Sequence, residues 1–249
     1  MKPHLCSALL LLTISLNAQA PVPLAHGDVP GEPHHHLKIE NQYVRAYYVE
    51  VPPHEDTLLH QHDHDYLFVT LGDTEVINAV LGKPEVKLAL KDGEVRFTRG
   101  GFAHVARNLG DKPFRNVTIE LLKPQGEPYN LCAQIVAGAL SGPCDKNRVD
   151  GLKSVFAAPQ FETTQMKLDS VRIDPKTKSH EALRVASLIV VLDNSEVQVE
   201  VKGKPPKTLH SGETVWLEAR SSADISNLTE KPSKYFQLYF EEDGKSVKP

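Results

Sequence analysis

The chain has 249 residues, enough for one large domain or two of ordinary size. Hydrophobic residues make up 40% and charged ones 24%, the balance of a globular protein that buries a core. A formal net charge of -4 supplies no basic field for nucleic acid or an anionic membrane surface, so neither is expected as a partner.

The first element is a leader. Lys2 and His4 precede the apolar run from Ala8 to Leu16, and Asn17-Ala18-Gln19-Ala20 ends in a small-x-small pattern before Pro21. This reads as a secretory signal peptide over residues 1–20, cleaved after Ala20. About ten apolar residues are too few for a bilayer span, which needs about twenty. Nothing later in the chain is long and apolar enough to span. The expected product is exported, either periplasmic or secreted. Residues 21–36 contain four prolines, two glycines and the run His34-His35-His36. Consecutive side chains diverge, so this segment reads as a flexible, solvated leader rather than a metal site.

Strand-like runs begin at Leu37. They cover Tyr43 to Val51, Tyr66 to Leu71, Glu75 to Val80, Val86 to Leu90, Val95 to Thr98 and Asn116 to Leu122. Turns fall at Leu71-Gly72-Asp73, Gly82-Lys83-Pro84, Lys91-Asp92-Gly93 and Gly110-Asp111-Lys112-Pro113. Short strands at this spacing predict an all-β sandwich or barrel. With Cys6 removed in the signal peptide, Cys132 and Cys144 remain, and an oxidising compartment is expected to pair them.

The second half repeats the first. Gly93-Glu94 recurs as Gly212-Glu213, Asn108-Leu109 as Asn227-Leu228, and Lys112-Pro113 as Lys231-Pro232, each 119 positions from its copy. Glu75-Val76 and Gly82-Lys83-Pro84 recur 121 positions on, at Glu196-Val197 and Gly203-Lys204-Pro205. So long a period marks a duplicated domain rather than a solenoid. The expected division is a first domain over residues 37–130, a disulfide-braced linker over 131–150, and a second domain over 151–249.

Ten of the twelve histidines precede residue 105. Residues two apart on a strand share a face, so His60, His62 and His64 can line one side. The stretch from Gly93 to Asn108 resembles the second motif of the cupin superfamily, G(x)5PxG(x)2H(x)3N, with Arg99 in place of the proline. His60-Gln61-His62 resembles the HxH of the first motif, G(x)5HxH(x)3–4E(x)6G, with His54 for its opening glycine and Gly72 closing it. The resemblance implies two tandem jelly-roll β-barrels, with one divalent transition metal (Fe, Mn, Ni or Zn) on His60, His62 and His104 inside the first. The acidic ligand is less direct. Strand parity favours Tyr66, with His64 also inward, whereas ligand chemistry favours Asp65, a carboxylate beside histidines. Asp65 is the preferred fourth ligand.

In the second copy the same offset puts Ala223 where His104 stands, and only His180 and Glu181 retain ligand chemistry there. That barrel is expected to be metal-free. Tyr66, Arg96, Arg99 and Arg107 are the candidates for orienting a small anionic ligand, and no catalytic acid–base pair declares itself. Three functions are consistent with these residues. One is a metal-dependent enzyme, either a dioxygenase-like oxidoreductase or an isomerase; another is an exported binding protein for a small ligand or metal; the third is a metal-braced structural barrel, with a homo-oligomer as one form of it. Asn116-Val117-Thr118 and Asn227-Leu228-Thr229 are glycosylation sequons.

Overall fold

Period-two apolar alternation, broken by glycine and proline turns, produces nearly all of the regular structure. The computed structural model describes residues 27–144 and 154–241. The signal peptide expected over residues 1–20 lies outside them, as do residues 21–26. Among the described residues the one helical element is a three-residue 3-10 turn at Val29–Gly31. No helix there is long and apolar enough to cross a membrane.

The first half forms β1 (Gly27–Asp28), β2 (His35–Glu40), β3 (Val44–Val51), β4 (His60–His62) and β5 (Asp65–Leu71). It continues with β6 (Thr74–Val80), β7 (Val86–Leu90), β8 (Val95–Thr98), β9 (Phe102–Asn108) and β10 (Phe114–Leu121). Two short strands follow, β11 (Tyr129–Asn130) and β12 (Leu140–Ser141). The second half comprises β13 (Val155–Glu162), β14 (Met166–Ile173), β15 (Thr177–Leu183), β16 (Ala186–Val191) and β17 (Glu196–Val201). It ends with β18 (Lys207–His210), β19 (Thr214–Leu217), β20 (Ser221–Asn227) and β21 (Ser233–Phe240).

Residues of the first half pair into two five-stranded sheets, ordered β1-β4-β9-β6-β7 and β2-β3-β10-β5-β8. Those of the second half form sheets ordered β12-β11-β13-β14-β21-β16-β19 and β15-β20-β17-β18. Without β1 in the first half and β11 and β12 in the second, the two halves carry the same strand order. The repeat read from the sequence is therefore a repeat of topology. It explains why particular residues recur. Asn108 Nδ2 donates to Val51 O at 3.0 Å and Lys112 O at 2.8 Å, and Asn227 Nδ2 donates to Ile173 O at 3.1 Å and Lys231 O at 2.7 Å. Both asparagines are fully buried and tie the same turn to the same strand end. Asn116 is buried as well, so neither sequon presents its amide to a glycosylating enzyme in the folded chain.

The sheet of β3, β10 and β5 is buried on both faces, apolar towards the second barrel and mixed towards the interior of the first, where β10 presents Asn116, Thr118 and Glu120. On β3, Val44 and Ala46 face the second barrel, while Tyr47, Val49 and Val51 face the interior of the first. One core cluster joins the barrels, with Leu67, Val69, Val117 and Ile119 packed against Phe161, Leu168, Leu188 and Leu238. Gly212, at φ 77°, fits against this seam, where a Cβ would lie 2.8 Å from Leu71 and Tyr48. Arg115 and Asp193 form an ion pair at 3.3 Å between the two halves. Cys132 and Cys144 are joined as a disulfide. The segment it closes carries β12, which pairs with β11 just before Cys132, and the two strands extend the edge of the second barrel's larger sheet.

The segment expected to be a solvated leader is ordered structure from Gly27 onward. Gly27 and Asp28 pair in parallel with His60 and Gln61, Val29 is fully buried, and His35–Glu40 pairs with β3.

Candidate metal centre

The first barrel's interior brings four imidazoles together. His60 and His62 alternate inward from β4, and both are 1% exposed. Antiparallel pairing sets His60 directly opposite His104 on β9. Their ring centroids are 4.6 Å apart, with His60–His62 at 5.2 Å and His62–His104 at 5.4 Å. The fourth is His35. Its ring lies 4.8 Å from His60 and 6.0 Å from His62, and its side chain is 5% exposed. Ligand-capable nitrogens of His35, His60 and His62 all lie within 4.8 Å of one another. Divergence of consecutive side chains does hold in the histidine tract, and it is what lets His35 alone turn inward.

Each ring is held from outside by its Nδ1. His35 Nδ1 meets Glu32 Oε2 at 2.5 Å, and His60 Nδ1 meets Leu58 O at 2.8 Å. His62 Nδ1 meets Glu120 Oε1 at 3.2 Å, and His104 Nδ1 meets Asn78 Oδ1 at 2.7 Å. An acceptor on Nδ1 fixes the tautomer that keeps its proton there and leaves a lone pair on Nε2, the usual outer support of a metal-bound histidine. His60 Nε2 and His104 Nε2 are buried without a hydrogen-bond partner. Orphaned buried nitrogens are costly, and a cation satisfies them. The residues present therefore fit a divalent transition metal.

Electrostatics agree. Burial, reinforced by the neighbouring imidazoles, pushes His60 down to about 4, His62 to about 3 and His104 to about 2. All three are neutral at pH 7, the form that binds metal. Burial pushes the Glu120 carboxyl up. Burial also opposes the Glu32 charge, but hydrogen bonds from His35 and Leu58 N outweigh it and hold that carboxyl below its ordinary value.

Asp65 departs from its expected place. Its Oδ2 accepts from Arg99 Nη1 at 2.7 Å and its Oδ1 from Gly100 N at 3.2 Å. Asp65 shares the strand face of Leu67, Val69 and Leu71, which points at the second barrel. Its carboxylate thus braces the turn before β9 rather than joining the histidines. Gly100 is confined to that turn, since a Cβ would lie 2.5 Å from the His64 backbone. Tyr66 has the opposite parity and enters the site, stacked on His62 at 4.1 Å, with burial raising its phenol to about 12.

The site opens on a cavity of about 220 Å³. Val49, Phe68, Val76, Leu88, Leu90 and Phe114 form its apolar wall, and Arg96 lines it with Thr98, Asn116 and Thr118. The other two arginines expected at the site are engaged elsewhere. Arg99 binds Asp65 and Gly126 O, and Arg107, on the outward face of β9, binds Asp56 at 3.4 Å and Glu85 at 3.1 Å.

In the second barrel the pair matching His60 and His104 is Glu181 opposite Ala223. His180 is turned out to solvent, 67% exposed, and bonds Asp224 at 2.7 Å. Glu181 accepts from the buried Gln237 at 2.8 Å.

No family model matches the chain, and no curated protein matches it by sequence. Solved structures do match. AerE from Microcystis aeruginosa superposes with a TM-score of 0.59 at 11% identity, over 85% of this chain and 99% of that one. A cupin 2 conserved barrel domain protein from Leptotrichia buccalis gives 0.51 at 11%, over 83% and 88%. The fold is that of a cupin. Salicylate 1,2-dioxygenase from Pseudoaminobacter salicylatoxidans, with gentisate bound, gives 0.53 at 12% identity over 80% of this chain and 69% of that one. An oxalate decarboxylase variant from Bacillus subtilis gives 0.53 at 8%, over 90% and 78%. At such identities the likeness is one of fold, so the cupin barrel is shared while its chemistry belongs to each chain's own site.

Sequence reasoning on this chain missed His35, Glu32, Glu120 and Asn78. The histidine tract was the one visible signal for His35. Glu120 shares the inward parity of Asn116 and Thr118, but parity alone does not say which residue of β10 reaches β4.

Proposed function

We propose that this chain is an exported metal-dependent enzyme acting on a small anionic organic molecule inside its first barrel. The single observation that carries the reading is the ring of imidazoles held by Nδ1, with buried, unpartnered Nε2 atoms facing a ligand-sized apolar cavity. A purely structural centre has no need of such a cavity. His35, His60, His62 and His104 would hold the metal, with Asp65 left as a turn brace. An iron, manganese, nickel or zinc ion there would supply Lewis-acid polarisation of a bound oxygen, and iron or manganese would add redox chemistry. Glu120 and Glu32 keep the protons of His62 and His35 on Nδ1. The apolar wall excludes bulk water, Tyr66 stays protonated beside His62, and Arg96 meets the ligand's negative charge. Oxidative chemistry is favoured by the neighbour named for salicylate dioxygenation. The second barrel serves as a metal-free scaffold. The signal peptide and the disulfide support export, since disulfides persist in oxidising compartments.

Elemental analysis of the untagged mature protein beside a His60→Ala/His104→Ala double variant tests the centre. About one transition metal per chain is expected, lost in the variant. No retained metal after reconstitution with several divalent ions would refute the reading.

A further inference from the structure

The cavity has two chemically different ends. One carries the imidazoles and Tyr66. The other lies further along β5, where Phe68 pairs with Arg96 while Tyr66 pairs with Thr98. Two residues along a strand span roughly 7 Å, so Arg96 stands about one ligand length from the histidines. Among the lining residues Arg96 is the only lysine or arginine, and none is an aspartate or glutamate.

Arg96 Nε donates to Glu94 Oε1 at 2.8 Å, which orients the guanidinium. Among the described residues the guanidinium makes no other hydrogen bond, which leaves its terminal nitrogens as unused donors on a residue that lines the cavity. Asn116 stands on the same wall. Its Oδ1 accepts from Thr118 Oγ1 at 2.8 Å, which leaves its NH2 as the group available to donate. A planar cation beside an amide donor is the arrangement that receives a carboxylate. Arg96 is the one cationic side chain in the lining and is already shared with Glu94, so the subsite has no second cation for a second negative charge. Between the two ends the wall is apolar, and about 220 Å³ is below the roughly 300–1,000 Å³ of a site for drug-sized ligands. The space suits a single ring or a short branched chain.

We propose that the cavity takes a monocarboxylic acid with a compact apolar body, its carboxylate on Arg96 and Asn116 and an oxygen at its far end directed to the histidines. The orientation rests on the metal reading above; the carboxylate subsite does not. Chelating acids, whose carboxylate would itself sit at the metal, are excluded by this placement, as are dianions.

Calorimetric titration of the full mature chain, metal-loaded and metal-stripped, with 4-hydroxybenzoate, 4-hydroxybenzamide and oxalate tests it. The acid is expected to bind saturably at millimolar concentration or below, and the amide at least tenfold more weakly. Arg96→Gln should reduce the acid to the level of the amide without changing metal content. Asn116→Asp, which sets a second carboxylate beside the arginine, should abolish acid binding in a chain that still melts cooperatively. Arg96-dependent binding in a chain that takes up no metal on reconstitution would sustain the carboxylate subsite while the metal reading falls on its own test. Equal binding of acid and amide, an unaffected Arg96→Gln variant, tighter binding of oxalate, or no binding of any probe would each overturn the proposal.

Discussion

Asp65→Ala separates a turn brace from a metal ligand. The substitution removes an ion pair with Arg99, whose side chain is 47% exposed, and the acceptor of Gly100 N. An exposed pair contributes about 0–1 kcal/mol, and a hydrogen bond to a charged acceptor about 1.5–3 kcal/mol. A loss of roughly 1.5–4 kcal/mol lowers Tm by roughly 3–16 °C in a chain of this size. Thermal melts of metal-stripped and metal-loaded protein, with elemental analysis of each, measure both effects. Asp65→Ala should lower Tm equally in the two states and leave the metal content untouched. His104→Ala should instead erase the stabilisation that metal confers, about 2.7 kcal/mol when free metal is a hundred times Kd. An Asp65→Ala variant that lost its metal while the stripped protein melted unchanged would refute the assignment of Asp65 to the turn.

Three further outcomes are expected. Glu120→Gln, which weakens the support of His62 Nδ1, should reduce metal affinity about 10–100-fold with the fold intact, read by competition with a chelator. The metal-stripped protein should lose stability as pH falls below about 6.5, because His60, His62 and His104 bind protons in the unfolded chain before they do in the folded one. The loss is at most about 2 kcal/mol per histidine at pH 5, and urea unfolding at pH 7 and pH 5 measures it. Gly212→Val should destabilise the seam between the barrels by about 1–3 kcal/mol, since its Cβ would overlap Leu71 and Tyr48 and its φ of 77° disfavours a branched side chain; chemical unfolding followed by circular dichroism reports it.

Much of the candidate site was legible along the chain because it is local. His60 and His62 share a face through the period of two, and His104 stands at a fixed distance from Gly93 in a motif whose glycine turns are local as well. Duplication was visible in Gly93/Gly212 and Asn108/Asn227 because the same turns and hydrogen bonds demand the same residues twice. The pairing of Cys132 with Cys144 followed from the expectation that export removes Cys6 and leaves these two cysteines in an oxidising compartment.

Other parts depend on which face of a strand turns inward and on which distant strands meet. Alternation already favoured Tyr66 as the inward residue, and preferring Asp65 on ligand chemistry went against it; closure of the barrel sets Tyr66 beside the histidines and Asp65 towards the neighbouring barrel. His35 joins the site because β2 pairs with β3 in a register that sets its ring beside His60, 25 residues along the chain. Arg96, Arg99 and Arg107 are equivalent as charges in a sequence, yet one lines the cavity and two are held outside it. A local pattern fixes which side chains stand together on one strand; sheet register and barrel closure fix which strands bring theirs to the same point in space.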